Sequence, residues 1–345
     1  MEVRGAAMTS LALWHWHIEI SSKCTLKCPR CARTEVPDTL VNTELKLDFF
    51  KEHFTPEFIM QHVKKITFCG DDGDPIYAHD LINVIHYFKA IKPVEIVIVT
   101  NGSYKSKDWW DTLANALTDI DEIHFSLDGY DQASNEQYRV NSDWKSIETG
   151  IKAMRKSPVF MRWAAIAFAF NEDHLLTMQN LATQYGFDTF QVTKSTKFGK
   201  VYKSYPSLDK LQPKDSLISM QGRFTRECIN LSGRVKKEES MLYNELLANK
   251  VIADSVGQPV TPLCQIGNKG SYISATGKLY PCCWVANRYQ HNNEWEKLSI
   301  DLHQTTLVEA LNNKILQNEL KTYRWMECKA KCNSTVANLA YCTEW

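Results

Sequence analysis

One feature constrains the fold of this chain more than any other. Six short apolar stretches, residues 14–20, 64–69, 94–99, 122–127, 160–170 and 187–193, alternate with stretches of helical spacing at 47–63, 79–90, 107–117, 144–155 and 174–185. Apolar residues at every second position mark strands, and apolar residues three and four apart mark helices. Pro56 lacks the amide hydrogen a helix interior needs, so it breaks or restarts the first helix. Repeated strand–helix units build a parallel sheet. An open doubly wound sheet and a barrel both satisfy the pattern. In either, ligands collect at the carboxyl ends of the strands.

Within the first strand, Trp14, Trp16, Ile18 and Ile20 share one face and His15, His17 and Glu19 the other. In a barrel the second set looks into the lumen, where these three are candidates for proton transfer. The two histidines are expected as hydrogen-bonded residues ahead of metal ligands.

The 345 residues, 44% of them hydrophobic, suffice for one large domain and a smaller one. A formal net charge of zero gives no global attraction to nucleic acid or an anionic membrane. The run 160–170 is too short to span a bilayer and contains Arg162. The first ten residues lack the apolar centre of a signal peptide, so a cytoplasmic protein is expected. There, eleven cysteines argue for metal ligation rather than disulfides.

Cys24, Cys28 and Cys31 lie on one loop directly after the first strand, separated by three and then two residues. Soft thiolates at such spacing suit an iron–sulfur cluster or zinc, and both ordinarily take four protein ligands. No fourth cysteine lies nearby. Three thiolates on a cluster leave one iron open for chemistry; a zinc half-site completed from elsewhere is the alternative. Three further patches follow strands: Gly70-Asp-Asp-Gly-Asp-Pro75 after the second, Asn101 after the third, and Ser126 and Asp128 at the end of the fourth. Four independent patches thus fall on one rim.

A second cysteine set begins at Cys264 and continues with Cys282, Cys283, Cys328, Cys332 and Cys342. Residues 271–283 read as a hairpin turning at Thr276-Gly277, with Cys264 before it and Cys282 at its end. Four thiolates from this set would close a complete cluster or a zinc ribbon. Cys228 stands alone and is expected as an incidental thiol.

The CxxxCxxC spacing of Cys24, Cys28 and Cys31 resembles the signature of the radical S-adenosylmethionine (SAM) superfamily. That resemblance favours a partial (β/α)6 TIM-like barrel. It implies a catalytic [4Fe-4S] cluster on the three thiolates, with SAM on the fourth iron. Reductive cleavage of SAM would then give a 5′-deoxyadenosyl radical that takes a hydrogen atom from substrate. The turn from Gly70 to Pro75 resembles the family's glycine-rich "GGEP" motif, with Asp74 where glutamate is frequent and Asp72 in place of a glycine. Gly70, Asp72, Gly73 and Asp74 are by that resemblance SAM contacts, and Asn101 joins them on the rim. Ser126-Leu-Asp-Gly129 followed by Tyr138-Arg139 resembles a segment of the peptide-modifying branch. It makes Ser126, Asp128 and Arg139 candidates for the ribose and the methionine carboxylate. Arg30 holds a position that is often aromatic.

The spacing Cys264–x12–Gly277–x4–Cys282 resembles the opening of SPASM and twitch auxiliary domains, although a full SPASM domain carries more cysteines than follow here. The implied arrangement is one auxiliary [4Fe-4S] cluster on Cys264, Cys282, Cys328 and Cys332, with Cys283 and Cys342 as alternates. The expected layout is a core barrel at 11–200, a bridging helical segment at 201–260 and an auxiliary domain at 261–345. Relatives of this kind imply a peptide or small-molecule substrate and a low-potential donor such as flavodoxin or ferredoxin. The stretch before Trp14 is too short for the leader-binding domain that many peptide-modifying relatives carry. Two other classes compete. One is a binding protein whose zinc or Fe–S sites only hold the fold. The other is a radical SAM enzyme acting on a nucleoside or nucleic acid, which the basic residues from Lys194 to Lys203 invite and the neutral net charge opposes.

Overall fold

Strand order decides between the two sheets that the alternation allowed. The computed structural model describes residues 15–35, 37–194, 210–213, 226–234, 271–281, 283, 286 and 298–316. In it β1 (His15–Ile18), β2 (Lys65–Phe68), β3 (Glu95–Thr100), β4 (Glu122–Ser126), β5 (Phe160–Ala167) and β6 (Thr189–Lys194) pair in parallel, each beside its predecessor. A doubly wound sheet needs a point where this order reverses, and none occurs. With right-handed crossovers, one direction of travel puts every helix on one face. The opposite face must then be covered by curling on itself, which is the geometry of a partial barrel.

The helices are α1 (Ala32–Glu35), α2 (Leu47–His53), α3 (Pro56–His62), α4 (Leu81–Ile91), α5 (Lys107–Ala116), α6 (Gln132–Glu136), α7 (Trp144–Met154), α8 (Leu175–Tyr185) and α9 (Leu307–Leu311). The expected helix at 47–63 divides as Pro56 requires. Phe54 closes α2, and Thr55 caps α3 by accepting the Phe58 amide, with Pro56 at the first position. No described helix is long and apolar enough to cross a membrane.

The core lies between the helices and the outer face of the sheet. Trp16, Ile18 and Ile20 are fully buried there with Phe50, Phe54 and Phe88. A second aromatic group joins Trp110, Phe125, Trp163 and Phe187 under α5 and α7. Gly150 of α7 sits against this group. A Cβ there would lie 2.6 Å from Cε2 of Trp110, whose ring is completely buried and has nowhere to go. Gly150→Ala is therefore expected to destabilise the protein by about 1–3 kcal/mol, despite alanine's better helix propensity. A urea midpoint that rises instead would refute this reading.

Three features lie beyond the βα repeat. β7 (Arg226–Asn230) adds antiparallel to β6, so this part of the segment expected to be helical is a strand. Its five residues show no helical period, and the free edge of β6 offers a ladder that satisfies its amides. β8 (Tyr272–Ile273) and β9 (Lys278–Tyr280) form the expected hairpin, with Gly277 at φ +75° in its turn. β8 also pairs in parallel with β1, and β10 (Ile300–Asp301) pairs with β9, so the hairpin extends the barrel's own sheet.

Candidate cofactor site

The cysteine loop leaves β1 and is pinned from several sides. The Ser22 hydroxyl donates to the carbonyl of Val41 at 2.6 Å and accepts the amide of Thr43. Asp74 gives its backbone amide to the carbonyl of Lys23, and Lys27 gives its own to that of Val140. Asn141, in the left-handed region at φ 69°, reaches the carbonyl of Thr25 with its side chain. Tyr104, at φ 63°, donates its hydroxyl to Asn141. Among the described residues these two are the non-glycine positions in that region, and they meet over the cysteine loop. Such strain persists where surrounding contacts overdetermine the backbone.

Cys28 is buried, and Cys24 and Cys31 are half-buried, against Leu26, Tyr138, Phe168 and Leu211. Burial, with the Asp74 carboxylate nearby, pushes the Cys24 thiol up to about 12. Burial pushes Cys28 up to about 11, although the guanidinium of Arg139 draws it back. Such thiols stay protonated unless a metal takes the proton's place. Each also faces a nitrogen donor, one just after β3 and one in the connection between α6 and α7. The Nδ2 of Asn101 lies 3.7 Å from the Cys24 sulfur, and Arg139 lies against Cys28. Among the described residues no three His, Cys, Asp or Glu side chains converge as ligands of a single ion. An iron–sulfur cube instead holds its thiolates at separate corners. Three thiols in one apolar pocket, two of them facing hydrogen-bond donors, fit that group.

Carboxylates stand behind both donors. Asp74 accepts the backbone and side-chain amides of Asn101, each at 2.6 Å, on Oδ2 and the amide of Ile76 on Oδ1. Asp128, completely buried, accepts Nε of Arg139 at 2.6 Å on Oδ2 and the amide of Ile166 on Oδ1. The outcome is two chains from carboxylate through donor to thiol: Asp74–Asn101–Cys24 and Asp128–Arg139–Cys28. Ser126 is half-exposed at the end of β4. Arg30 is buried and turns toward Glu35 at 3.9 Å. Gly70 and Gly73 are required by close approach of the chain to itself. A Cβ on Gly70 would lie 2.3 Å from the carbonyl of Gly73, and one on Gly73 would lie 2.1 Å from that of Ser21.

The lumen residues expected as proton-transfer candidates spend their polar atoms on protein. His15 pairs with the Thr67 hydroxyl at 2.8 Å, and His17 donates to the carbonyl of Cys69 at 3.0 Å. Glu19 accepts the amides of Asp72 and Gly73. Deeper in the lumen lies a network that no local pattern of residues announces. Arg162 and His124 share the Glu122 carboxylate, with Gln191 on the far side of Arg162, and Lys65 pairs with Glu95 at 2.9 Å. Of the expected auxiliary ligands, Cys264, Cys282, Cys328, Cys332 and Cys342 lie outside the described residues, while the alternate Cys283 is buried.

Burial, with the charges of Asp72 and Asp71 adding to it, pushes the Glu19 carboxyl up to about 8. The folded protein then keeps a proton that the unfolded chain releases near the ordinary value of 4.5. Where the folded state binds more protons, stability falls as pH rises, here by up to about 1.4 kcal/mol per pH unit. Burial of Asp74, raised to about 6, acts with the same sign over a lower window. In the metal-free protein the urea midpoint should therefore drop between about pH 5 and 8, and Glu19→Gln should flatten that drop. A parent midpoint that rises across this window would show that Glu19 is ionised in the fold.

Comparison with known proteins bears on the fold. Residues 18–164 match the model of the Radical SAM superfamily. Streptococcus suis SuiB, solved bound to S-adenosylmethionine, superposes with a TM-score of 0.59 at 13% identity, over 93% of this chain and 70% of that one. SuiB bound to its precursor peptide SuiA gives 0.58 at 13% identity, over 94% and 70%. Native anSMEcpe with bound AdoMet and the Kp18Cys peptide gives 0.53 at 15% identity, over 92% and 89%. At such identities these likenesses establish the fold. No curated protein matches the chain. Residues 18–164 thus match a radical SAM domain, and the chain has an α/β fold with the parallel sheet of a partial TIM barrel. That family implies a [4Fe-4S] cluster and SAM.

Proposed function

We propose that this chain is a radical SAM oxidoreductase that abstracts a hydrogen atom from a peptide side chain, with an auxiliary [4Fe-4S] cluster taking the resulting electron. The observation that carries this reading is the pair of donor chains converging on Cys24 and Cys28 beside Cys31. The cluster and SAM together supply reductive cleavage of SAM and, through the 5′-deoxyadenosyl radical, hydrogen-atom abstraction.

The chain's own residues do the rest. Cys24, Cys28 and Cys31 hold the cluster. Asn101 and Arg139 direct N–H groups at its thiolates, which stabilises the more negative, reduced state. Arg139 has further donors free of Asp128 to offer the methionine carboxylate, a pairing its planar fork suits. Asp74 and the turn before it provide the acidic, backbone-rich surface that an ammonium group requires, and Ser126 offers its hydroxyl to the ribose. Leu26, Tyr138 and Phe168 keep water from the reacting centre. Cys264, Cys282, Cys328 and Cys332, with Cys283 and Cys342 as alternates, would close the auxiliary cluster, and a flavodoxin or ferredoxin would supply the electrons. The peptide assignment draws support from the neighbours solved with peptides bound.

The test is anaerobic reconstitution with iron and sulfide, followed by SAM and dithionite. About eight irons per chain and formation of 5′-deoxyadenosine support two clusters and radical chemistry. Zinc in place of iron, or a fully loaded protein that makes no deoxyadenosine, would assign the chain to metal-stabilised binding proteins. Acceleration by a small metabolite and not by peptides would move the substrate class.

A further inference from the structure

Glu19 occupies an unusual position. It follows β1, is 2% exposed, and divides its two oxygens between two parts of the chain. Oε1 accepts the backbone amides of Asp72 at 2.6 Å and Gly73 at 3.0 Å. Oε2 accepts the hydroxyl of Tyr272 at 2.8 Å. Tyr272 is itself buried on β8, whose backbone is tied to β1 by the amide of Glu19 donating to the carbonyl of Ile273. The Tyr272 ring packs edge-on against His17, 4.9 Å between centroids, and His17 holds the carbonyl of Cys69. Two side chains of the first strand thus grip both ends of the segment from Cys69 to Gly73, and one tyrosine of the hairpin touches both.

That segment carries Asp71 and Asp72, and Asp74 follows it directly, a concentration of like charge that favours an extended loop. Glu19 adds another carboxyl beside them. A buried acid in such company is retained only if its hydrogen bonds are needed. Both amides it binds belong to the turn.

We propose that Glu19 and Tyr272 are positioning residues for SAM: together they hold the Cys69–Gly73 backbone in its cofactor-binding shape, and Tyr272 couples that shape to the hairpin. This rests on the reading of the turn as a SAM contact. The two residues do not touch the reacting atoms. Their work is to present the turn, so their loss falls on SAM affinity rather than on the chemical step.

The experiment uses the full chain in two forms. In the metal-free protein, hydrogen exchange at the Asp72 and Gly73 amides reports the brace directly. In the reconstituted protein, equilibrium dialysis gives SAM affinity and kinetics separate KM from kcat. Tyr272→Phe, which keeps the ring on His17, should speed exchange at both amides and weaken SAM binding about tenfold, the equivalent of one buried hydrogen bond. KM for SAM should rise with it, while iron content and kcat at saturating SAM stay within about twofold of the parent. Glu19→Leu should do the same more strongly. Glu19→Gln keeps an acceptor for both amides and should bind SAM as the parent does. Tyr272→Phe with parental exchange and parental affinity overturns the proposal alone. A parent protein that binds no SAM overturns the underlying reading, and the proposal with it.

Discussion

With alanine at Cys24, Cys28 and Cys31 together, reconstitution is expected to yield about four irons per chain in place of about eight, and no deoxyadenosine. The expected loss is complete because these three thiols, gathered on one loop, are the soft anions that would hold the cluster there. Arg139 can only donate, the Asn101 side-chain oxygen is a hard acceptor already taken by the Ser103 amide, and Asp74 and Asp128 are committed to Asn101 and Arg139. The fold itself should survive. The three side chains are small, lie on a loop, and leave Leu26, Tyr138, Phe168 and Leu211 still packed together. The metal-free variant should therefore unfold in urea near the parent's midpoint. The proposed auxiliary cluster, assigned to later cysteines, should keep its own irons. If the triple variant still carries about eight irons, the first cluster is held elsewhere. If it carries none, one cluster only was ever present and it depends on this loop.

How far the sequence alone could reach is clear from particular residues. Period and punctuation found all six parallel strands, the Pro56 break and the Gly277 turn, since each is a local signal. The rim was legible because parallel sheets gather chemistry at one end, so Cys24, Asp74, Asn101 and Asp128 could be grouped without knowing a single contact. Two things were not legible. β7 is defined by the edge it covers, and its own five residues carry no period. The contacts of Glu19 were equally hidden. Its alternation with Ile18 and Ile20 placed it correctly in the lumen, and a carboxyl in a lumen invites a role in proton transfer. What it binds depends on Tyr272, more than 250 residues away, a pairing set by β8 docking on β1. Roles that depend on a partner from a distant element leave no trace in local sequence, and Arg139 shows the converse. Its identity suggested a carboxylate ligand, and the structure shows one already present in Asp128, with the cysteine loop on its other side.

That arrangement makes Arg139 the position where a single change should do the most damage. Asp128 has no exposed surface, and Arg139 supplies its charge partner. Arg139→Leu would strand a buried carboxylate with the Ile166 amide as its remaining side-chain hydrogen bond. Removing one member of a buried pair costs about 3–5 kcal/mol, much of it the penalty of the abandoned charge. The metal-free variant should lose stability by that amount in urea. Cleavage of SAM should fall about 100-fold, the equivalent of about 2.7 kcal/mol, because on the proposed reading the guanidinium also serves Cys28 and the methionine carboxylate. These two losses have different origins, and a second substitution separates them. Asp128→Asn in the Arg139→Leu background removes the stranded charge while keeping an oxygen for the Ile166 amide. Stability should then recover toward the parent, since an intact buried pair contributes little over a neutral replacement. Activity should not recover, because no cation has returned to the rim. A double variant that regains both would make Arg139 a structural residue only, whose effect on SAM cleavage passes entirely through the fold. One that regains neither would mean the loop from Asp128 to Arg139 is ordered by the ion pair itself, placing its role upstream of cluster assembly.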